Sequence, residues 1–201
     1  MGGGPLFILD MAACALLAAA AACRGRTYGG HVTGAMVLAC LSGLSLPLLR
    51  DGLLGEVAFS LDRSGYLAAA VSGGFVGIAA ARFLRRWPAC FYWLDSAGLA
   101  LAAGISASKA GSARLGLTGC LVLGVLSALV GGLVRDMALG DAARAVGEPM
   151  YATAAVFGVL LTLALTAYGL GRPWQCALAG AALIVALRFL RDRRGGEAFH
   201  C

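Results

Sequence analysis

The sequence predicts an all-α membrane protein with seven transmembrane helices, arranged as two inverted three-helix repeats followed by a seventh helix. Three observations carry this. Of 201 residues, 60% are hydrophobic and only 13% charged, with 30 glycines and a mean hydropathy of +0.85, far outside the balance of water-soluble domains. Seven apolar runs are long enough to cross a hydrocarbon core of roughly 30 Å, which takes about 20 helical residues. The chain also aligns with itself at an offset of 85 residues, matching 10–82 to 95–167 without a gap and with 25 identical columns among 73.

The runs extend from Leu6 to Cys23, Val32 to Leu49, Tyr66 to Leu84, Phe91 to Ser108, Leu115 to Val134, Tyr151 to Leu170 and Pro173 to Leu190. The first is expected to stay in the mature protein, because Met1 to Leu9 holds no positive side chain and Asp10 interrupts the apolar stretch a signal peptide needs. The formal charge of +6 lies in short loops between runs, which argues against nucleic acid as a partner and for membrane topology as the use of the basic residues. Seven crossings place eleven of the 16 basic residues on one side, among them Arg24, Arg26, Arg82, Arg85 and Arg86, against Arg50, Arg63, Lys109, Arg114 and Arg172 on the other. The positive-inside rule then predicts a cytoplasmic C-terminus, with residues 191–201 as a basic tail, and an outside N-terminus. The seven cysteines form no CxxC pair, the only histidines are His31 and His200, and neither a Walker loop nor GxSxG occurs, so no catalytic residue, metal or cofactor is expected.

Within the self-alignment the rarer residues weigh most: Asp10 with Asp95, Thr33-Gly34 with Thr118-Gly119, Ser42 with Ser127, Arg50-Asp51 with Arg135-Asp136, Gly55 with Gly140, and Tyr66 with Tyr151. The repeats, 6–84 and 91–170, each hold three runs. Three crossings return the chain on the opposite face, so the second copy lies upside down, and 173–190 is the seventh helix without a partner. Two such halves form a path at their interface with similar entrances from both sides, an architecture suited to moving small solutes.

The second and fifth runs, TGAMVLACLSGLSLPLLRDGLLGE (33–56) and TGCLVLGVLSALVGGLVRDMALGD (118–141), carry the polar signal. Pro47 lacks an N–H, and its counterparts Gly131-Gly132 are free to leave helical geometry, so both helices are expected to kink at related points. Backbone released there has to be buried in protein or line water, which makes the kinks and the hydroxyls of Ser42, Ser45 and Ser127 pore candidates; close helix packing through small residues explains the same glycines and serines. Beyond each kink, Arg50-Asp51 and Arg135-Asp136 place opposite charges on neighbouring helical residues about 100° apart, so they are expected not to neutralise one another simply and to seek partners on other helices. Ordinary snorkelling is the plainer reading of the arginines. Asp10 and Asp95 are either intramembrane functional charges or helix caps, and Lys109 stands in the polar stretch ISASKAGSA.

FYWLDSAGLALAAGISASKAG (91–111) followed by GGLVRDMALGD (131–141) resembles bacterial members of the trimeric intracellular cation channels, and the resemblance extends over essentially the whole chain. It implies a homotrimer in the bacterial inner membrane, surrounded by membrane lipids, with one hourglass-shaped pore per protomer bounded by the second and fifth helices. Potassium and sodium are the implied permeant ions. Independently of the resemblance, the basic end of the seventh run, RFLRDRRGG, is expected to act as a topological anchor, with anionic lipid as a further candidate ligand. Carried over by position, Gly131 and Gly132 match a glycine hinge, Arg135-Asp136 its charged end, and Lys109 a Lys-Ala element. The chain departs from the pattern at Leu46-Pro47, where small residues are expected, and lacks the Lys-Glu-Val motif of eukaryotic members, so phosphoinositide regulation does not transfer.

Arg50, Lys109 and Arg135 along the path would by themselves favour anions, unless carboxylates bind them and leave hydroxyls and carbonyls to coordinate cations. A cation channel is therefore the expectation that the resemblance supports. A secondary transporter of glycine or another small amino acid fits inverted repeats and kinked helices equally well, and a bundle without a path, organising lipids, remains the third reading.

Overall fold

Among the residues described by the computed structural model, 4–55, 64–141 and 149–195, seven helices account for nearly all of the chain. Side chains at 84, 88, 149–151 and 191–195 are not described. The expected positions of Glu56, Arg63 and Arg144, and the side chains of Tyr151 and of the tail arginines, fall outside the description.

The helices are α1 (Pro5–Thr27), α2 (Val32–Leu53), α3 (Ser64–Arg86), α4 (Pro88–Ser112), α5 (Leu117–Ala138), α6 (Pro149–Ala167) and α7 (Pro173–Gly195). Four of the five prolines open helices, where the missing N–H has no intrahelical acceptor to lose. The fifth, Pro47, lies inside α2, which continues as helix through it, as α5 does through Gly131-Gly132. Six helices are long and apolar enough to span a bilayer, and α6 adds an apolar stretch over Ala152–Ala167. Most helices extend past their apolar runs, so Arg50-Asp51 and Arg135-Asp136 are helical rather than loop residues. Two residues beyond the ends of α2 and α5 respectively, Gly55 (φ 67°) and its repeat partner Gly140 (φ 72°) take the left-handed conformation that ends a helix without strain on a Cβ. The sixth run ends early, because Gly169 (φ 65°) turns the chain after Tyr168.

The repeat-related helices α1 and α4 form the centre. They are rich in alanine and are 56% and 61% buried over their apolar windows, against 33–39% for the other four spanning helices. Helix α1 packs on α2, α3 and α4, α4 on α5, α6 and α7, and α2 meets α5 across the repeat boundary. Small residues set these distances: a Cβ on Gly73 or Gly77 of α3 would lie 2.3 or 2.2 Å from the carbonyl oxygens of Ala15 or Ala19. Outward faces carry exposed apolar side chains such as Val37, Phe75, Val76, Val122 and Phe157, as a lipid-facing surface requires.

Candidate functional site

Helices α1 and α2 are antiparallel, so Asp10, near the start of one, comes level with Arg50, near the end of the other. Both are fully buried. The guanidinium donates from Nη1 to Asp10 Oδ1 at 2.8 Å and from Nη2 to Oδ2 at 2.9 Å, a bidentate pair. Its Nε and Nη2 both reach Asp51 Oδ1 at 3.0 Å. Lys109 Nζ, arriving from α4, donates to Asp10 Oδ2 at 2.7 Å, and the Tyr66 hydroxyl of α3 donates to the same oxygen. Four helices thus converge on one carboxylate, and two cations balance two carboxylates.

The second repeat builds the related group at the other end. Arg135 donates through Nη1 to Asp95 Oδ1 and through Nε to Asp136 Oδ1 at 2.8 Å, again with all three side chains buried. Here the cation equivalent to Lys109 is Arg24, and its partner differs: it forms an ion pair with Asp141 Oδ2 at 3.2 Å, beyond the end of α5. The Tyr28 hydroxyl also donates to Asp141, and that hydrogen bond pushes the phenol above its usual pKa. The ring of Phe91 lies between the two arginines, 5.6 Å from each guanidinium carbon.

Three sequence-based readings change. Arg50-Asp51 and Arg135-Asp136 do neutralise each other despite their 100° separation, because an arginine is long enough to curl its Nε edge back to the next residue while its other edge serves another helix. Neither arginine snorkels to an interface. Asp10 and Asp95 are not caps: α1 is capped by Gly4 and α4 by Trp87, and both aspartates lie well inside their helices.

Between the charged groups, α2 and α5 touch at the residues singled out for their kinks. Ser42 Oγ donates to the Gly131 carbonyl at 2.8 Å, and Ser45 Oγ donates to the Ser42 carbonyl at 2.8 Å. Pro47, Gly131 and Gly132 are buried beside them. Ser127, the repeat partner of Ser42, is fully buried with no hydrogen-bond partner for its hydroxyl among the described residues. The structure therefore gathers the predicted residues into two charged groups and one polar crossing. Sequence reasoning had not assigned Tyr66, Arg24, Tyr28, Phe91 or Asp141 to the site; the Tyr66–Tyr151 match and the Arg24–Lys109 equivalence were the available signals.

Fold and site together define a polytopic membrane protein of inverted repeats whose repeat-related buried arginines, Arg50 and Arg135, are neutralised by carboxylates. The crystallised orthologue of the TRIC trimeric intracellular cation channel from Rhodobacter sphaeroides has this fold, with a TM-score of 0.84 and 25% identity over 94% of this chain and 98% of that one. A prokaryotic TRIC channel crystallised in 0.5 M KCl matches at a TM-score of 0.87 and 20% identity, covering 96% and 98%. Residues 92–167 match the family model described as Glycine transporter. A UPF0126 membrane protein of Deinococcus radiodurans is 30% identical over 92% of this chain and 87% of its own length, and the UPF0126 inner membrane protein YadS of Escherichia coli K12 is 30% identical over 62% and 61%. The chain belongs to the UPF0126 family of membrane proteins and has the TRIC fold.

Proposed function

We propose that the protein is a monovalent cation channel of the bacterial inner membrane, a homotrimer with one pore in each protomer, its N-terminus outside and its C-terminus cytoplasmic. The observation that carries the sign of the charge is the pairing of the two repeat-related buried arginines of α2 and α5 with carboxylates, Arg50 with Asp10 and Asp51 and Arg135 with Asp95 and Asp136. Positive rings that would attract anions are thereby cancelled, and the polar atoms left at the crossing of α2 and α5 are hydroxyl and carbonyl oxygens, which suit small cations. The likeness to channels described as conducting cations supports the same reading.

In this reading potassium or sodium enters from either face, sheds part of its water near Ser42 and Ser127, and passes a gate formed where α2 and α5 cross. Opening separates the two helices at Pro47 and at Gly131-Gly132, so Gly132→Ala alters the open probability. The test is purified protein in a planar bilayer under a potassium chloride gradient. Single-channel steps that reverse near the potassium equilibrium potential are expected; reversal near the chloride potential overturns the selectivity. The family model's description favours one second reading, uptake of glycine, which predicts saturable uptake into liposomes without single-channel steps.

A further inference from the structure

Where α1 and α3 end on the Arg24 side, a cavity of about 480 Å³ opens between them, lined by Arg26, Ile78, Ala79, Ala81, Arg82 and Arg85. Three of the six lining residues are cationic and three apolar, the arginines lying toward the helix ends and the apolar residues further back along α3. Arg85 Nη2 lies 3.4 Å from the Arg26 carbonyl, and Arg26 Nη1 donates to the Gly30 carbonyl at 2.6 Å; these backbone contacts hold both guanidinium groups at the rim and leave most of their donors unused. No carboxylate lines the cavity, and none of the three arginines forms an ion pair among the described residues. Arg24, two residues from Arg26, is by contrast neutralised by Asp141.

The apolar part of the lining is continuous with the outer face of α3, where Phe75, Val76 and Phe83 are 59–63% exposed. A ligand that fits both parts carries a phosphate at one end and hydrocarbon at the other. We propose that this cavity binds the headgroup of an anionic glycerophospholipid, whose phosphate is held by Arg26, Arg82 and Arg85 while its acyl chains descend along Ile78 and Phe75. The spacing supports this geometry: Ile78, Arg82 and Arg85 share one face of α3, so the phosphate seats at the end of the helix and the chains run along its length. A free anion would gain nothing from Ile78, Ala79 and Ala81, and a zwitterionic lipid would bring its own cation to three guanidinium groups.

Native mass spectrometry of the delipidated full chain, titrated with phosphatidylglycerol or phosphatidylcholine, reads this directly. Phosphatidylglycerol is expected to bind at least about tenfold more tightly than phosphatidylcholine, since each basic residue near a membrane surface adds to the attraction for anionic headgroups. Arg82→Gln with Arg85→Gln should abolish the difference, and Ala79→Trp, which fills the apolar part of the cavity without changing charge, should weaken phosphatidylglycerol by a similar factor. Arg172→Gln should leave it unchanged. All four side chains face outward, so the variants should fold, as their unfolding temperatures will report. Equal phosphatidylglycerol affinity in the wild type and the double variant overturns the site. A loss in the double variant with Ala79→Trp unaffected overturns the cavity in favour of diffuse surface charge, and displacement of the lipid by millimolar inorganic phosphate overturns a lipid as the ligand.

Discussion

Replacing Asp10 with asparagine keeps the shape of the side chain and removes the charge on which four helices converge. Arg50 then retains only Asp51 as counter-charge, and Lys109 loses its sole ion-pair partner among the described residues. Two unit charges about 4 Å apart attract by roughly 4 kcal/mol at an effective dielectric of 20. Since removing one member of a buried pair typically costs about 3–5 kcal/mol, Asp10→Asn should lose an amount in that range. Lys109 contributes less than Arg50, because its side chain is 25% exposed and water replaces part of what it loses. A double-mutant cycle with Lys109→Met should therefore give a coupling of about 1 kcal/mol, well below that of the fully buried Arg50 pair. Reversible unfolding in mixed micelles, followed by far-ultraviolet circular dichroism, measures both quantities. A loss under about 1 kcal/mol for Asp10→Asn would refute the argument that a buried, fully engaged carboxylate holds this end of the bundle together.

Ser42→Ala removes the 2.8 Å bond to the Gly131 carbonyl; hydrogen bonds between membrane helices average about 0.6 kcal/mol, so the ratio of open to closed channel should change about threefold in single-channel records. Gly77→Ala brings a Cβ to 2.2 Å from the Ala19 carbonyl oxygen and should destabilise the fold by about 1–3 kcal/mol, whereas Gly34→Ala, with nothing within 4 Å, should be near neutral in the same unfolding assay. Arg24→Gln breaks a pair whose side chains are 20% and 24% exposed and should cost under about 1 kcal/mol, so a large change in its single-channel conductance would report on the path and not on unfolding.

The helices were legible because apolar length in a membrane protein is dictated by bilayer thickness, and the repeat register because identical charges at fixed offsets survive a background of alanine and leucine. The register singled out Asp10, Arg50, Asp51 and their partners in the second repeat. Their bonding was legible in principle, since two antiparallel neighbouring helices must bring the start of one level with the end of the other. The Arg50–Asp51 bond is not legible from the 100° between their Cα–Cβ vectors, because a flexible side chain with five donors reaches well beyond the direction in which it starts. Nothing local in the sequence pairs Arg24 with Asp141. That contact depends on how the segment after α5 returns to the end of α1, which is set by tertiary packing.

The two ends of the molecule start from equivalent residues and are connected differently. At one end the cation from α4, Lys109, joins the buried carboxylate itself, so moving it disturbs Arg50, Asp51 and Tyr66 together. At the other end the equivalent cation, Arg24, is turned outward to a half-buried carboxylate beyond α5 and shares the ring of Phe91 with Arg135. Both cations are partly exposed, so each of these pairs alone breaks at a cost of about 1 kcal/mol; the ends differ in the carboxylate, Asp10 being fully buried and shared with Arg50 and Tyr66 while Asp141 is partly open to water. Inverted symmetry alone would make both ends equally able to rearrange. The difference in connection removes that equivalence and makes the Arg24 end the one where rearrangement is least costly. Gly131-Gly132 lie just before Arg135 on the helix that leads to that end, whereas the corresponding place in α2 holds Leu46-Pro47, with Leu46 fully buried. Hinge and weak contact thus fall on the same half of the same helix, so a conformational change along this path is expected to move the second half of α5 with Asp141 while the Asp10 group stays fixed.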